Sequence, residues 1–303
     1  MKIIKVGTRA GALAIAQTES IIDLLKRHHP HIQFQIETIT TRGDTDRKSS
    51  LEKIGGTGIF TKQLEEALIE KRIDIAVHSA KDLPSTMTPG LRIGAVPERE
   101  DPDDAWLSNA GLSLQNSKPG SVVGTGSPRR RAMLLNLRPD LIVKDIRGNV
   151  PTRVQKMEDG GYDCLIMACA GLKRINLDNK ITQILPVDKF VPAPAQGALI
   201  VQIRTDDTAI QEIVKHIDNK EARRCLIAER LLLEMLGAGC SAAVGGLAQI
   251  ENQSLILKAA VLDKQGKVRL DESGVSDSPE KDKAMIAGVV KKLIAHEADK
   301  LIT

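Results

Sequence analysis

Apolar positions recur with two periods along the first hundred residues. Apolar or partly alternating runs at residues 3–6, 34–40 and 73–77 predict strands. Helical spacing follows Arg9 up to about residue 26 and recurs from residue 60 to residue 68. The order strand, helix, strand, helix, strand predicts a parallel sheet with right-handed crossovers.

A second series of the same kind begins near residue 122. Apolar runs at residues 122–124, 141–146 and 163–167 predict strands, and Ser127 and Pro128 fit the N-cap and first position of a helix. The two series resemble each other in how their strands end, so we expect two similar domains that face a shared cleft.

Two changes of composition divide the chain. A charged, proline-bearing stretch covers residues 97–104, and a proline-rich linker covers residues 190–198. The strand predicted after the linker returns to the first domain, and helices near both ends of residues 221–302 enclose a predicted hairpin. The predicted domains are domain 1 at 1–97 and 198–215, domain 2 at 103–191 and domain 3 at 220–303. The expected fold class is therefore α/β, with two similar domains of mainly parallel sheets and a small C-terminal α+β domain.

Composition narrows the classes of function. The 303 residues include 42% hydrophobic and 27% charged residues, as in an ordinary globular protein, and the net charge is +4. Aromatic residues make up only 2%, which argues against stacking platforms for nucleic-acid bases. Neither a bilayer-spanning apolar run nor a signal-peptide core is present, so we expect a cytoplasmic protein. We expect a monomer, because the sequence shows no long apolar seam of the kind that oligomers bury.

The richest chemistry lies in residues 74–84. A buried strand is predicted to end there, and His78, Ser79, Lys81 and Asp82 follow at once. In open α/β sheets, ligands bind outside the carboxyl ends of the strands, so Ser79, Lys81 and Asp82 are candidates for a site. The alternative is that Asp82 caps a helix and Lys81 is solvated.

Arginines collect at the other predicted strand ends and helix starts. Their forked donors suit carboxylates or phosphates, and helix N-termini favour anions as well. The sequence therefore indicates a ligand with several negative groups, while the alternative is a solvated charged face. No phosphate-loop or metal motif accompanies these positions, which are Arg9, Ser127, Arg129, Arg130, Arg131, Arg147, Arg153, Lys173 and Arg174.

Two further residues stand out beside these cations. An ionised Asp82 in an anion-binding site would repel its ligand unless positive charge develops during reaction, so Asp82 is a candidate to stabilise a cation or to move protons. Cys240 lies on a loop of small residues, where a thiol can approach a ligand closely, although a buried inert cysteine is the alternative.

The chain resembles the porphobilinogen deaminases (hydroxymethylbilane synthases) over nearly its whole length. The motifs that carry the resemblance are Val6-Gly7-Thr8-Arg9, Thr41-Arg42-Gly43-Asp44, Gly55-Gly56 with Gly58-Ile59-Phe60, residues 74–84, Arg99-Glu100-Asp101-Pro102, Ser127 with Arg129-Arg130, Arg147-Gly148-Asn149-Val150, Ala170-Gly171-Leu172-Lys173-Arg174 and Gly239-Cys240.

The resemblance implies an α/β fold with two periplasmic-binding-protein-like lobes of mainly parallel sheets and a small C-terminal α+β domain. It also implies a transferase that joins porphobilinogen units stepwise, with loss of ammonia, and releases a linear tetrapyrrole. It implies a dipyrromethane cofactor attached to Cys240 through a thioether, and Asp82 as the catalytic residue. Cofactor contacts are implied for Arg9, Ser79, Lys81, Ser127, Arg129, Arg130, Arg147 and Arg153. Substrate contacts are implied for Arg9, Arg147, Arg153 and Arg174.

The chain departs from the family pattern at a few positions. Many members have Lys where Thr57 stands and Ser where Gly11 stands, and Ser241-Ala242-Ala243 replaces a segment that usually contains proline. Two other readings stay open: a non-catalytic two-lobed protein that binds a small polyanion, and a nucleic-acid-binding protein that rests only on the basic clusters.

Overall fold

The computed structural model describes residues 3–40, 61–84, 86–239 and 242–302. The chain forms two compact units: Met1–Glu100 with Ala198–Arg223, and Asp101–Gly197 with Arg224–Thr303. No helix within the described ranges combines the length and apolar character needed to cross a membrane. The division into three domains that the sequence suggests stays a prediction.

The strands and helices are numbered along the chain. They are β1 (Ile3–Arg9), α1 (Ala12–His28), β2 (Gln33–Ile39), α2 (Lys62–Ile69), β3 (Ile75–Ser79), β4 (Leu91–Ala95), β5 (Asp104–Ser108), β6 (Val122–Gly124), α3 (Pro128–Leu137), β7 (Ile142–Lys144), α4 (Val150–Glu158), β8 (Cys164–Ala168), α5 (Cys169–Lys173), β9 (Gln183–Leu185), β10 (Leu199–Arg204), α6 (Thr208–Val214), α7 (Lys220–Leu236), β11 (Ala243–Glu251), β12 (Ser254–Leu262), β13 (Arg269–Ser276), α8 (Pro279–Ala295) and α9 (Ala298–Ile302).

The first unit is built on a sheet of order β2-β1-β3-β10-β4. β1 pairs in parallel with β2 and β3, whereas β10 is antiparallel to both β3 and β4. Four strands therefore share one direction, and only β10 opposes them. Helix α1 buries Ile21 and Leu25 against this sheet, together with Val6 and Val77 of the strands.

The second unit repeats this arrangement in the order β7-β6-β8-β5-β9. β6 is parallel to β7 and β8, and the reversed strand is β5, which is antiparallel to β8 and β9. In each sheet the reversed strand follows directly after the chain passes from one unit to the other. The mainly parallel α/β class expected from the sequence is confirmed.

The second unit also contains the antiparallel sheet β11-β12-β13, as expected for a small C-terminal α+β region. Its apolar face packs against α7 and α8, with Leu232, Leu257 and Leu293 fully buried. The final helix is expected over residues 279–302 but ends at Ala295, because Glu297 adopts a positive φ of 65° and starts a new, short helix.

Candidate functional site

The carboxyl ends of β1 and β3 place three of the expected site residues together. β1 and β3 lie side by side, with Val6 opposite Ile75 and Gly7 opposite Ala76. β1 ends at Arg9, and β3 continues two residues beyond the expected end, through His78 to Ser79. A 3-10 turn over Ala80–Asp82 follows, where the Ala80 N–H donates to the Ala198 carbonyl at 3.0 Å. This bond ties the turn to the residue before β10.

A pocket opens at this edge of the sheet inside the first unit. Its lining is polar on most sides and consists of Arg9, Ala14, Gln17, Thr61, Val77, His78, Ser79 and Asp82. Asp82 is exposed and Ser79 is half-buried. Lys81, which the resemblance also implies, is exposed in the same turn but does not line the pocket. The pocket thus offers one guanidinium, one carboxylate and several neutral polar groups.

Sequence reasoning gave no role to Gln17, Thr61 and His78, which complete this lining. His78 is buried, and its Nε2 lies 2.9 Å from the amide oxygen of Gln202. Burial lowers the pKa of His78 from 6.5 to about 4, an effect that Arg9 strengthens and that Gln202 and Asp82 oppose. The imidazole is therefore neutral near pH 7. The one sign of a role for His78 in the sequence is that it directly follows Val77, the expected end of β3.

In the second unit, two of the expected cofactor-binding arginines share one buried carboxylate. Asp104, the first residue of β5, lies 2.7 Å from Arg129 Nη1 and 2.8 Å from Arg130 Nη2. Burial by itself would raise the pKa of Asp104, but the two guanidinium groups and Gln196 together hold that pKa below its usual value. All three charged side chains are buried.

Arg129 and Arg130 also donate to backbone carbonyls. Arg129 Nη1 donates to the Val191 carbonyl at 2.8 Å, and Arg130 Nη1 donates to the Ile166 carbonyl at 3.2 Å. Ser127 caps α3, as the sequence predicts, by accepting the Arg130 N–H at 3.4 Å. Direct contacts of these three residues with a cofactor stay predictions.

Three other arginines of the second unit lie in the segments that come after β7 and β8. Arg147 is exposed after β7. Arg153 is half-buried in α4 and donates to the Gly148 carbonyl at 2.7 Å. Burial lowers the pKa of Arg153, and the charges of Arg130 and Arg147 lower it further. Arg174 is half-buried and donates to the Gly197 carbonyl at 2.7 Å. A desolvated cation beside two others is stabilised by an anion, so this donor set fits a ligand with several carboxylates.

Several positions named from the sequence have separate outcomes. Cys240 and Thr57 lie outside the described residues. Gly11 is the N-cap of α1, and a Cβ added there would meet open space. The serine that many family members carry at this position therefore fits this backbone.

Comparisons with known proteins support one family. The family model described as "Porphobilinogen deaminase, dipyromethane cofactor binding domain" matches residues 4–212, and the model of the C-terminal domain of the same family matches residues 223–295.

Relatives of the same name cover almost the whole chain. The porphobilinogen deaminase of Desulforudis audaxviator is 45% identical over 277 residues, which are 91% of this chain and 90% of the relative. The porphobilinogen deaminase of Carboxydothermus hydrogenoformans is 41% identical over 303 residues, at 99% and 96% coverage. The porphobilinogen deaminase of Thermus thermophilus is 43% identical over 284 residues, at 92% and 93% coverage.

Among solved structures, the chain is similar to the methionine binding protein MetQ. The identity is 14% and the TM-score is 0.45, and the match covers 73% of this chain and 92% of that chain. The family models and the relatives are far more specific than this likeness. On their account, the chain belongs to the porphobilinogen deaminase family, whose cofactor-binding domain holds a dipyrromethane.

Proposed function

We propose that this chain polymerises porphobilinogen stepwise, with loss of ammonia, and releases the linear tetrapyrrole hydroxymethylbilane. The observation that carries the proposal is the pocket at the end of β3, where Asp82 lies with Arg9 and Ser79 in a chain that the family models match almost throughout. A carboxylate and a guanidinium in one pocket suit a substrate that combines negative arms with a reacting centre that becomes positive.

Asp82 is the proposed catalytic residue. Loss of ammonia from porphobilinogen leaves positive charge that spreads onto the pyrrole nitrogen. The exposed Asp82 carboxylate can accept the pyrrole N–H and stabilise this charge, because it belongs to a fixed turn at the end of β3. Arg9, at the end of β1, would hold a carboxylate of the substrate in the same pocket.

The cation cluster of the second unit is the proposed cofactor-binding element. Dipyrromethane, when bound, supplies the pyrrole to which the first substrate unit is joined. Its carboxylates would be held by Arg147 and Arg153. Burial and neighbouring positive charge disfavour the charged form of Arg153, and a bound carboxylate would stabilise that form. Arg174 would assist with substrate. Arg129 and Arg130 are also assigned to cofactor binding, and their contacts with Asp104 and with backbone carbonyls would hold both side chains at the start of α3.

The decisive experiment is the intact mass of the purified protein, combined with peptide mapping at Cys240. We expect a mass excess that corresponds to two linked pyrroles derived from porphobilinogen, located on Cys240. Cys240→Ser should lack this excess, and Cys225→Ser, at a buried thiol elsewhere, should keep it.

The other readings make opposite forecasts in that experiment. A two-lobed binding protein would have a free Cys240 that stays free after incubation with porphobilinogen. A nucleic-acid-binding protein would bind DNA or RNA at low salt and lose this affinity steeply as salt is added.

We further propose that the protein works in the cytoplasm as a monomer on a small-molecule substrate, with neither a nucleic-acid nor a membrane partner. The support is the sequence alone: few aromatic residues, a nearly balanced charge and no extended apolar seam. Size-exclusion chromatography with light scattering would test the monomer, for which the expected mass is 32.8 kDa plus the cofactor.

A further inference from the structure

A line of buried polar side chains crosses the core of the first unit and ends at the pocket. Thr88 Oγ1 donates to Glu65 Oε2 at 2.9 Å, and Gln202 Nε2 donates to Glu65 Oε1 at 2.8 Å. Gln202 Oε1 in turn lies 2.9 Å from His78 Nε2. Glu65, Gln202 and His78 are all buried. Buried polar groups are costly unless they are hydrogen-bonded, so this line is a specific feature of the core rather than a surface accident.

Strand pairing explains why the three side chains meet. In the antiparallel pair β3 and β10, His78 lies opposite Ile200 and Ala76 lies opposite Gln202. His78 and Gln202 are therefore diagonal neighbours on one face of the sheet. Helix α2 supplies Glu65, while Leu64 and Leu68 of the same helix pack against Ala76.

The hydrogen bonds in this line all run from donor to acceptor towards Glu65, whose carboxylate determines their direction. A carboxylate accepts hydrogen bonds, so the amide nitrogen of Gln202 points to Glu65 and its amide oxygen points to His78. The Gln202 oxygen can only accept, and the proton of the His78 ring therefore lies on Nε2. As a consequence, Nδ1 of the neutral ring carries a lone pair and is an acceptor.

The pocket is the place where this acceptor can be used. His78 lines it together with Arg9, Gln17, Ser79 and Asp82. The charged groups that act on the ring are Arg9 at the end of β1, Asp82 in the following turn and, through Gln202, Glu65. Because the ring is neutral near pH 7, it cannot serve there as a proton donor from Nδ1.

We propose that Nδ1 of His78 is a second acceptor beside the Asp82 carboxylate and receives an N–H of porphobilinogen in the pocket. The Glu65–Gln202 pair keeps this acceptor available by fixing the tautomer of the ring. The class of ligand group is an N–H donor, which means the pyrrole nitrogen or the aminomethyl group. The inference rests on the proposed function and adds a substrate-binding role for a residue to which the sequence gave none.

A pair of substitutions separates this role from a purely structural one. His78→Asn keeps an acceptor close to the position of Nδ1 but loses the group that contacts Gln202. His78→Gln can still reach Gln202 but has no acceptor close to Nδ1. We expect the KM for porphobilinogen to be about tenfold higher in His78→Gln than in His78→Asn, which corresponds to one hydrogen bond. The order of stability should be the reverse, with His78→Asn unfolding at lower denaturant.

A KM that follows stability would overturn the proposal, and so would equal KM values in the two variants when both proteins are folded. The wild-type holoenzyme gives an independent measurement. In its ¹⁵N–¹H spectra of labelled histidine, Nε2 should carry the proton, and addition of porphobilinogen should shift the Nδ1 resonance of His78. An unchanged Nδ1 resonance during binding would contradict the inference.

The outcome remains distinct from a failure of the proposed function. Turnover and the mass excess on Cys240 in the wild-type protein test the function, whereas the order of the two variants tests His78 alone. A wild-type protein that consumes porphobilinogen while its variants show equal KM values would keep the function and remove the inference.

Discussion

Arg130 donates from Nε to Oδ1 of Asp104 at 2.8 Å, inside the core of the second unit. Arg129 contacts the other carboxylate oxygen at 2.7 Å, so one buried anion serves two buried cations. Asp104→Asn would leave both guanidinium groups without their counter-charge. We expect a loss of about 3–5 kcal/mol in the free energy of unfolding, measured by denaturant titration.

The pH dependence of that loss has a definite sign. The two arginines hold the pKa of Asp104 below 3.8, so its stabilising contribution is complete above this value and falls as pH drops through the native pKa. Glu158→Gln, which removes a solvent-accessible ion pair with Lys180, is the matched control and should leave the midpoint nearly unchanged. A similar midpoint for both variants would contradict the buried cluster.

Asp82→Asn tests the proposed catalytic carboxylate. Asp82 is exposed, and its side chain makes no hydrogen bond or ion pair with the described residues. The variant should therefore fold normally and retain the covalently bound cofactor. Removing a charge that stabilises a transition state typically lowers kcat by about 10²–10³-fold. Steady-state kinetics with porphobilinogen measures the effect, and near-normal turnover would remove Asp82 from the mechanism.

His78 makes stability depend on pH in mildly acidic solution. The pKa of His78 is about 4 in the folded protein and has its ordinary value of 6.5 in the unfolded chain. Between about pH 4 and pH 6.5, therefore, only the unfolded chain binds this proton. Stability contributed by the neutral ring is therefore lost as pH falls. We expect a loss of about 2 kcal/mol from this group between about pH 6.5 and 5.

The measurement is denaturant unfolding at several pH values, with His78→Asn as the comparison. Arg9, Asp82 and Glu65 are present in both proteins, so the difference between the two profiles isolates the titration of the imidazole. Parallel profiles would show that the ring titrates as it does in water.

Gly11→Ser should stabilise the protein slightly. Gly11 is the N-cap of α1, with an extended backbone at φ −92° and ψ 146°, and the cap makes no side-chain hydrogen bond. A serine hydroxyl could accept an N–H of the first turn, with a gain of about 0.3 kcal/mol over glycine. Gly7→Ser is the contrasting variant, because an added Cβ would overlap Ile73, and it should be clearly destabilised. Thermal unfolding of both variants checks the pair.

The sequence predicted which side chains lie together at the end of β3 better than it predicted the residues around them. Arg9, Ser79 and Asp82 come together because the ends of neighbouring parallel strands meet at one edge, a rule that needs only the strand order. The buried role of Asp104 could not be predicted, since this residue lies in a charged stretch that reads as a solvated crossing between domains.

The strand β11 shows what local pattern cannot supply. Its small residues read as a loop, yet Gly245 lies against Val191 and Gly246 against Leu232 and Pro194, where any side chain would collide. Those contacts join residues that are distant in sequence, so periodicity along the chain carries no sign of them. The short strands β4, β5 and β9 were missed for the related reason that a few residues give no measurable period.

The placement of β10 sets an order on biosynthesis. Among the described residues, β10 alone joins β4 to the rest of the first sheet, and its synthesis begins about a hundred residues after β4 has been synthesised. The second sheet is complete when Leu185 has been synthesised, whereas the first waits until Arg204. A nascent chain thus carries an unfinished N-terminal sheet with open edges while the unit encoded after it is already folding.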